Sequence, residues 1–365
     1  MKKISVLIID DSALMRNLVS KIISHDAGMT VVGTALNGLI GLKKVEELQP
    51  DVITLDLEMP ELDGIAFLRE LHQRKIDIPV IILSSLAHAG AKITMQALSL
   101  GACDFVTKPS GSISLDIKDI SKELCEKIYA HYHFYQKKKG ALGSKEEERP
   151  LLDPKNSKKN SAWPKYTPPS KLCTPKILCI GASTGGPFAL KSFLSGLSQD
   201  FPLPILIIQH MPKEFTGPFA ESLNSICSLN VQEATDGAII HPGKVYIAPG
   251  DMHMTMEDKK MVRVVRLNQK EPRNGHRPSV DVLFASAAKV YDGNVMAILM
   301  TGMGEDGARE IGTLFSKGAI TIAQDRDSCV VYGMPKSAIE HHYVQYVMNL
   351  EEMPSRIAEI IQQYY

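Results

Sequence analysis

Ser183 stands in the run Gly181-Ala182-Ser183-Thr184-Gly185-Gly186, after an apolar stretch at 177–180 and before Leu190, Phe193, Leu194 and Leu197 at helical spacing. That order reads as strand, glycine turn and helix, with a hydroxyl at the apex. A serine so placed is held clear of the backbone and can act as a nucleophile. The same glycines can instead cradle a phosphate at the helix N-terminus. The first reading makes the chain a hydrolase, the second a nucleotide binder.

A nucleophilic serine needs a base within hydrogen-bond reach and an acid that orients the base. Placement narrows the histidines. His210 follows the apolar run 205–209 and precedes Met211-Pro212, which puts it at the carboxyl end of a strand, on the edge where Ser183 lies. His241 precedes Pro242-Gly243 in a turn that leads into a strand, at the opposite end. His253 falls in an expected hairpin, His276 in a polar loop, and His341 and His342 after a helix. His210 is the expected base, although a histidine at a strand end can also be structural. The acid should come from the same edge. The apolar run ending at Met300 leads into Thr301-Gly302-Met303-Gly304-Glu305-Asp306-Gly307, whose glycines permit a tight turn with exposed N–H groups. Asp306 is expected to open a helix, where it can act as a cap, orient His210, or both. N–H groups near Met303 and just after Ser183 are the candidate oxyanion donors. The order Ser183, His210, Asp306 is not the Ser…Asp…His order of α/β-hydrolases, so the G-x-S-x-G match alone misleads about fold.

A second constellation lies near the start of the chain. Asp10 and Asp11 end one short apolar strand, Asp56 a second, Ser84 a third, and Lys108 a fourth. On a parallel sheet all five project into one pocket at the carboxyl edge. Three crowded carboxylates repel unless a hard cation joins them, and Mg²⁺ suits a few carboxylates plus a phosphate. A lysine and a hydroxyl beside them can bind phosphoryl oxygens. Asp56 is then a candidate carboxylate nucleophile for a phosphoryl group. Taken singly, each acidic residue reads equally as a helix cap.

The elements that position these groups alternate in both halves. Strands are expected at 6–10, 31–35, 52–57, 80–84 and 104–108, with helical patterns between them, such as Leu14, Leu18 and Ile22. This predicts a doubly wound, five-stranded parallel sheet. The second half predicts strands at 177–180, 205–209, 244–248, 295–301 and 319–323, and helices at 187–197, 280–290, 307–315 and 354–363. Segments 252–257 and 261–267 flank Asp258-Lys259-Lys260, as in an antiparallel hairpin on the sheet edge. Between the halves, residues 137–171 hold five prolines, ten Lys/Arg and four Asp/Glu with no hydrophobic periodicity, and they read as a linker. Trp163, the single tryptophan, falls there. The expected domains are therefore 1–125, 172–365 and, between them, a helix end and linker over 126–171.

With 44% hydrophobic and 22% charged residues the chain has an ordinary globular composition, and its zero formal net charge gives no global pull toward nucleic acid or an anionic membrane. No apolar run is long enough to span a bilayer, and the first residues are no signal peptide. Six scattered cysteines with no CxxC pair fit a reduced, cytoplasmic protein.

Asp10-Asp11-Ser12 with Arg16, Asp56-Leu57-Glu58-Met59-Pro60 with Asp63-Gly64, Ser84-Ser85 and Lys108-Pro109 closely resemble the receiver domain of bacterial response regulators, over residues 1 to about 125. The resemblance implies a flavodoxin-like fold, the phosphoacceptor Asp56, Mg²⁺ held by Asp10, Asp11 and Asp56, and the switch residues Ser84, Phe105 and Lys108. A receiver has no output of its own. In the second half, Gly181–Gly186, Gln209-His210-Met211-Pro212, Tyr246-Ile247-Ala248-Pro249-Gly250, His276-Arg277-Pro278-Ser279-Val280-Asp281, Thr301–Gly307 and Gly333-Met334-Pro335 occur in this order. Together they resemble the catalytic domain of the chemotaxis protein-glutamate methylesterases, the CheB family, over about 175–350. That resemblance implies a cytoplasmic serine hydrolase that demethylates glutamate methyl esters and deamidates glutamines on the cytoplasmic helices of methyl-accepting chemoreceptors. It implies no cofactor in the esterase site. It also implies a chemotaxis histidine kinase as phosphodonor and activation by phosphorylation at Asp56, the resting receiver covering the serine. Arg277 is a candidate for binding acidic residues beside the target, or a loop arginine in a salt bridge. Thr184 and Met303 are candidate oxyanion or substrate contacts.

A receiver-linked nucleotide-binding effector is the rival. The first glycine loop lacks the Lys-Ser/Thr of a P-loop, and Ser183 stands where the dinucleotide fingerprint has its middle glycine. A DNA-binding regulator fits poorly, because the second half far exceeds a helix-turn-helix module and shows no basic recognition helix. A serine-directed fluorophosphonate separates the classes: mass spectrometry of the labelled peptide should place the adduct on Ser183. An unlabelled chain that binds a nucleotide tightly would mean the rival is right.

Overall fold

Short runs of aliphatic residues become fully buried strands in both halves of the chain. The computed structural model describes residues 2–109, 116–141 and 172–364. The chain divides into two units, Met1–Lys145 and Glu146–Tyr365. Most of the expected linker, Trp163 included, lies outside the described residues.

The first unit alternates β1 (Ile4–Ile9), α1 (Ala13–His25), β2 (Met29–Ala35), α2 (Gly38–Leu48), β3 (Val52–Asp56), α3 (Gly64–Gln73), β4 (Val80–Ser84), α4 (His88–Ser99), β5 (Asp104–Thr107) and α5 (Asp116–Ala141). The sheet order is β2-β1-β3-β4-β5, and every pairing is parallel. Helix starts follow capping chemistry: Ser12 Oγ accepts from Met15 N–H, Asn37 Oδ1 from Ile40 N–H and Asp63 Oδ1 from Ala66 N–H. Val6, Ile8, Val52, Ile81, Leu83 and Val106 form one buried layer with Val19, Ile23, Leu124 and Ile128 of α1 and α5. The helix α5 continues through 137–141, where the loss of apolar periodicity predicts linker.

One polar network interrupts that core. Asp104, the first residue of β5, is buried against Lys127 and His131, one turn apart on α5. Lys127 Nζ lies 3.1 Å from Asp104 Oδ1 and 2.8 Å from Glu123 Oε1, and it donates to Phe105 O at 2.5 Å. The same ammonium stands 5.3 Å from the centre of the Phe105 ring.

The second unit runs β6 (Leu178–Ala182), α6 (Gly186–Ser195), β7 (Ile205–Gln209), α7 (Lys213–Asn224), β8 (Asn230–Glu233), β9 (Lys244–Ile247), β10 (His253–Lys259), β11 (Val262–Asn268), α8 (Val280–Val290), β12 (Met296–Leu299), α9 (Ala308–Ser316), β13 (Ile320–Gln324), α10 (Met334–Glu340), β14 (Tyr346–Met348) and α11 (Met353–Gln362). Seven of these strands form a parallel sheet in the order β14-β13-β12-β6-β7-β9-β8. The strands β8 and β14 escape sequence reading because they are short and half-exposed edge strands. The antiparallel hairpin is present, but β10 and β11 form their own two-stranded sheet instead of extending the large one. Its inward residues Met254, Met256 and Val265 join the core around Leu283, Phe284 and Ala287 of α8. Among the described residues no helix is long and apolar enough to cross a membrane, and all six cysteines are free.

The polar network gives the first unit a defined pH response. Burial draws the His131 imidazole down, but its hydrogen bonds with Asp104 and Cys103 outweigh that and raise it from 6.5 to about 9. A raised folded value means that the stabilisation is complete below pH 6.5 and is lost as pH rises through about 9. The unfolding midpoint of this unit should therefore fall over that window, and His131→Asn should abolish the fall. A ring-proton titration of His131 centred at the free imidazole value would contradict this.

Candidate active site

Strand register alone brings the second constellation together. Ala182 at the end of β6 pairs with Gln209 of β7, and Gly181 pairs with Leu299 of β12. The residues one step further are Ser183 and His210, with Met300 and Thr301 beside them. His210 N–H donates to Ala182 O at 3.1 Å and Ser183 N–H to Thr301 O at 3.0 Å, so three strand ends are laced beyond the sheet. The Gln209 amide donates to Ser183 O and His210 O, at 3.0 Å each. Gly185 takes φ +75° to turn the chain into α6, which a side chain would resist. On the facing turn, a Cβ at Gly302 would sit 2.8 Å from Ser183 Cβ, so only glycine allows the two turns to close on each other.

His210 Nε2 lies 2.9 Å from Asp306 Oδ2. A carboxylate only accepts, so Nε2 carries the hydrogen, and in the neutral ring Nδ1 presents a lone pair. Nδ1 is buried and has no hydrogen-bond partner among the described residues. Asp306 does not cap its own helix, which starts from Gly307 without a side-chain cap. Its carboxylate instead sits on the N-terminus of α8. Val280 N–H donates to Oδ2 at 2.7 Å and Asp281 N–H to Oδ1 at 3.3 Å, while Ser279 Oγ and Asn274 Nδ2 each reach Oδ1 at 2.8 Å. Burial pushes the Asp306 carboxyl up, but the hydrogen bond and charge of His210, then Asn274 and Val280, outweigh it and hold the group well below the ordinary carboxylate range.

In the first unit, Asp10, Asp11 and Asp56 offer carboxylate oxygens that all lie within 4.8 Å of one another. Lys108 Nζ is 3.0 Å from Asp10 Oδ2 and 2.7 Å from Asp56 Oδ2. Burial, against the pull of Lys108 and with the push of Asp56, raises the Asp10 carboxyl. A single lysine thus leaves this cluster short of positive charge, and its all-oxygen donor set fits Mg²⁺. Ser84 is buried, its Oγ accepting from Thr94 Oγ1 at 2.6 Å, and the Phe105 ring is turned into the unit, 5% exposed.

Comparison with known proteins gives both units a family. Residues 178–357 match the CheB methylesterase model and residues 6–117 the response regulator receiver domain. A protein-glutamate methylesterase/protein-glutamine glutaminase of Treponema denticola is 45% identical, covering 98% of each chain. The protein of the same name from Treponema pallidum is 42% identical, covering 97% of this chain and 96% of its own. The crystal structure of the Thermotoga maritima CheB methylesterase catalytic domain is 40% identical over 52% of this chain and 100% of its own, with a TM-score of 0.50.

The chain belongs to the CheB methylesterase family.

Within this CheB-family chain the remaining candidates separate. Arg277 is fully engaged: Nε and Nη2 donate to Asp251 Oδ1, Nε at 2.9 Å, and Nη1 donates to Gln269 O and Lys270 O at 3.2 Å. It ties Asp251 to the backbone at 269–270. Ser183 N–H and Gly302 N–H are taken by Thr301 O and Val331 O. Thr184 N–H and Met303 N–H are among the turn donors that have no backbone acceptor among the described residues, together with the N–H groups of 304–307. The Met303 side chain is 36% exposed. His253 is buried in a structural role, Nε2 on Glu271 O and Nδ1 accepting from Ser279 N–H. Sequence reading passed over Asn274 and His276, both of which meet the site. The dipeptide Asn274-Gly275 is a strong turn signal, but nothing local says where that turn docks.

The contact between Gly302 and Ser183 should be unforgiving. Gly302→Ala forces the two turns apart, and a shift of that size costs about a hundredfold in rate. Overpacking should also cost roughly 1–3 kcal/mol in stability. Activity and thermal unfolding measured on the same sample check both, and a fully active Gly302→Ala variant would contradict the close approach.

Proposed function

We propose that Ser183, His210 and Asp306 carry out the family's ester hydrolysis in this chain. The chain is a receiver-linked protein-glutamate methylesterase and protein-glutamine glutaminase. The observation that carries the residue assignment is the His210–Asp306 pair, 2.9 Å apart, at the strand ends beside Ser183.

Ser183 Oγ attacks the carbonyl carbon of a glutamate γ-methyl ester while His210 Nδ1 takes the hydroxyl proton. The oxyanion that forms is met by N–H groups of Thr184 and Met303. The imidazolium, held by ionised Asp306, returns the proton to the departing methoxide and methanol leaves. Water then gives a proton to His210 and attacks the acyl-enzyme. Collapse frees the glutamate carboxylate and restores Ser183. With a glutamine the leaving group is ammonia and the acyl intermediate is the same. Asp306 stays ionised throughout because its donors hold it low, so it orients and balances charge without itself taking a proton.

The substrates are glutamates on the cytoplasmic helices of methyl-accepting chemoreceptors, and the chain works in the cytoplasm. In the receiver, Asp56 accepts a phosphoryl group from a chemotaxis histidine kinase, and this raises the esterase rate. Asp10, Asp11 and Asp56 would hold Mg²⁺, which when bound balances phosphoryl charge. Lys108 neutralises the acidic pocket, and Ser84 and Phe105 respond to phosphorylation. The rival nucleotide-binding role has no support in the turn, whose Ser183 and Gly186 N–H groups are directed to Thr301 O and Ser183 O instead of an anion.

Methanol release from a methylated receptor fragment tests the reading. Ser183→Ala should lose at least about a thousandfold. Asp56→Asn should keep the basal rate and lose all stimulation by acetyl phosphate. Normal turnover by Ser183→Ala would end the assignment.

A further inference from the structure

Two side chains from one tight turn converge on the proposed triad. Arg273 and His276 exchange both backbone hydrogen bonds, at 3.0 and 2.9 Å, around Asn274 and Gly275. Those two residues have φ of 54° and 77°, the left-handed pair that a two-residue turn of this kind needs. The Asn274 amide nitrogen bridges Asp306 Oδ1 and Asp281 Oδ2, 2.8 Å from each. Arg273 anchors the turn by ion pairs to Asp281 at 3.6 Å and Glu310 at 3.1 Å. The His276 ring lies flat on the His210 ring, with centroids 3.8 Å apart and planes 13° from parallel.

An imidazole that holds a carboxylate with one nitrogen and works with the other has one damaging freedom, rotation about its Cβ–Cγ bond. Such rotation swings Nε2 off Asp306 and displaces Nδ1 at the same time. A flat ring in van der Waals contact with one face obstructs it. Charge matters as well, because a second imidazolium would repel the one that forms on His210. Burial, then the neighbouring His210, lowers His276 to about 4, so its ring is neutral at neutral pH. A neutral aromatic face attracts a cation set against it.

We propose that His276 is a positioning residue of the esterase centre, which holds the plane of His210 by stacking and favours its imidazolium. The inference rests on His210 acting as the base for Ser183. It concerns a group that forms charge only during turnover, so its loss falls on kcat and leaves KM alone.

The test is methanol release from a methylated receptor fragment by the full-length chain. His276→Leu fills similar volume without a flat face and should lower kcat about tenfold, with KM within about twofold. His276→Phe restores a flat neutral ring and should recover kcat to within about threefold of wild type. Wild-type kcat in His276→Leu, equal losses in Leu and Phe, or a change confined to KM would each overturn the proposal. If His276→Leu fails to fold, as judged by circular dichroism, His276→Met replaces it in the same comparison. Ser183→Ala is run alongside. If that variant turns over normally, the triad reading has failed. If it is inactive while His276→Leu is unaffected, only the stacking role has failed.

Discussion

The proposed esterase centre depends on one buried negative charge. Asp306 is 1% exposed, and a carboxylate in that position is tolerable only if donors replace the water it has lost. The fold supplies them from three directions. The N-terminus of α8 gives two N–H groups, Ser279 gives a hydroxyl, and the Asn274 turn gives an amide. His210 completes the set. Each donor fixes the carboxylate, and the fixed carboxylate in turn fixes the imidazole, its tautomer and the nitrogen left free to accept a proton.

The receiver handles buried carboxylates differently. Asp10 and Asp56 share Lys108, one point charge for two carboxylates, and this leaves the pocket able to accept more positive charge. Asp104, on the edge strand β5, is instead satisfied by Lys127 and His131. The first pocket is undercompensated and open to a cation. The second is closed and structural. Two carboxylate sites in one domain thus differ by how completely their charge is answered.

Much of the fold was legible from local pattern. Buried parallel strands are short, mostly apolar runs, and each such run read from the sequence is a strand close to where it was expected. What escaped was the half-exposed, short β8 and β14, which carry little apolar signal, and the helices α7 and α10. The hairpin was legible as a hairpin, but not its partner. Only packing on α8 makes it a separate sheet. Arg277 shows the same limit: its residue type suited an acidic partner, and only the folded chain brings Asp251 and two backbone carbonyls to it.

By itself the sequence determined which residues stand at strand ends, because a strand's apolar run and the glycine turn after it are local features. The positions of Ser183 and His210 follow from that, as do those of Asp10, Asp56, Ser84 and Lys108. Tertiary structure alone decided what each end residue touches. Register set Ser183 and His210 side by side, and the crossing of α8 beneath the β12 turn made Asp306 a cap for a different helix. Docking of the Asn274-Gly275 turn put His276 on the face of His210. These contacts join residues tens of positions apart, and no local propensity encodes them. They exist because the assembled core brings distant segments together and most buried polar groups must find partners there.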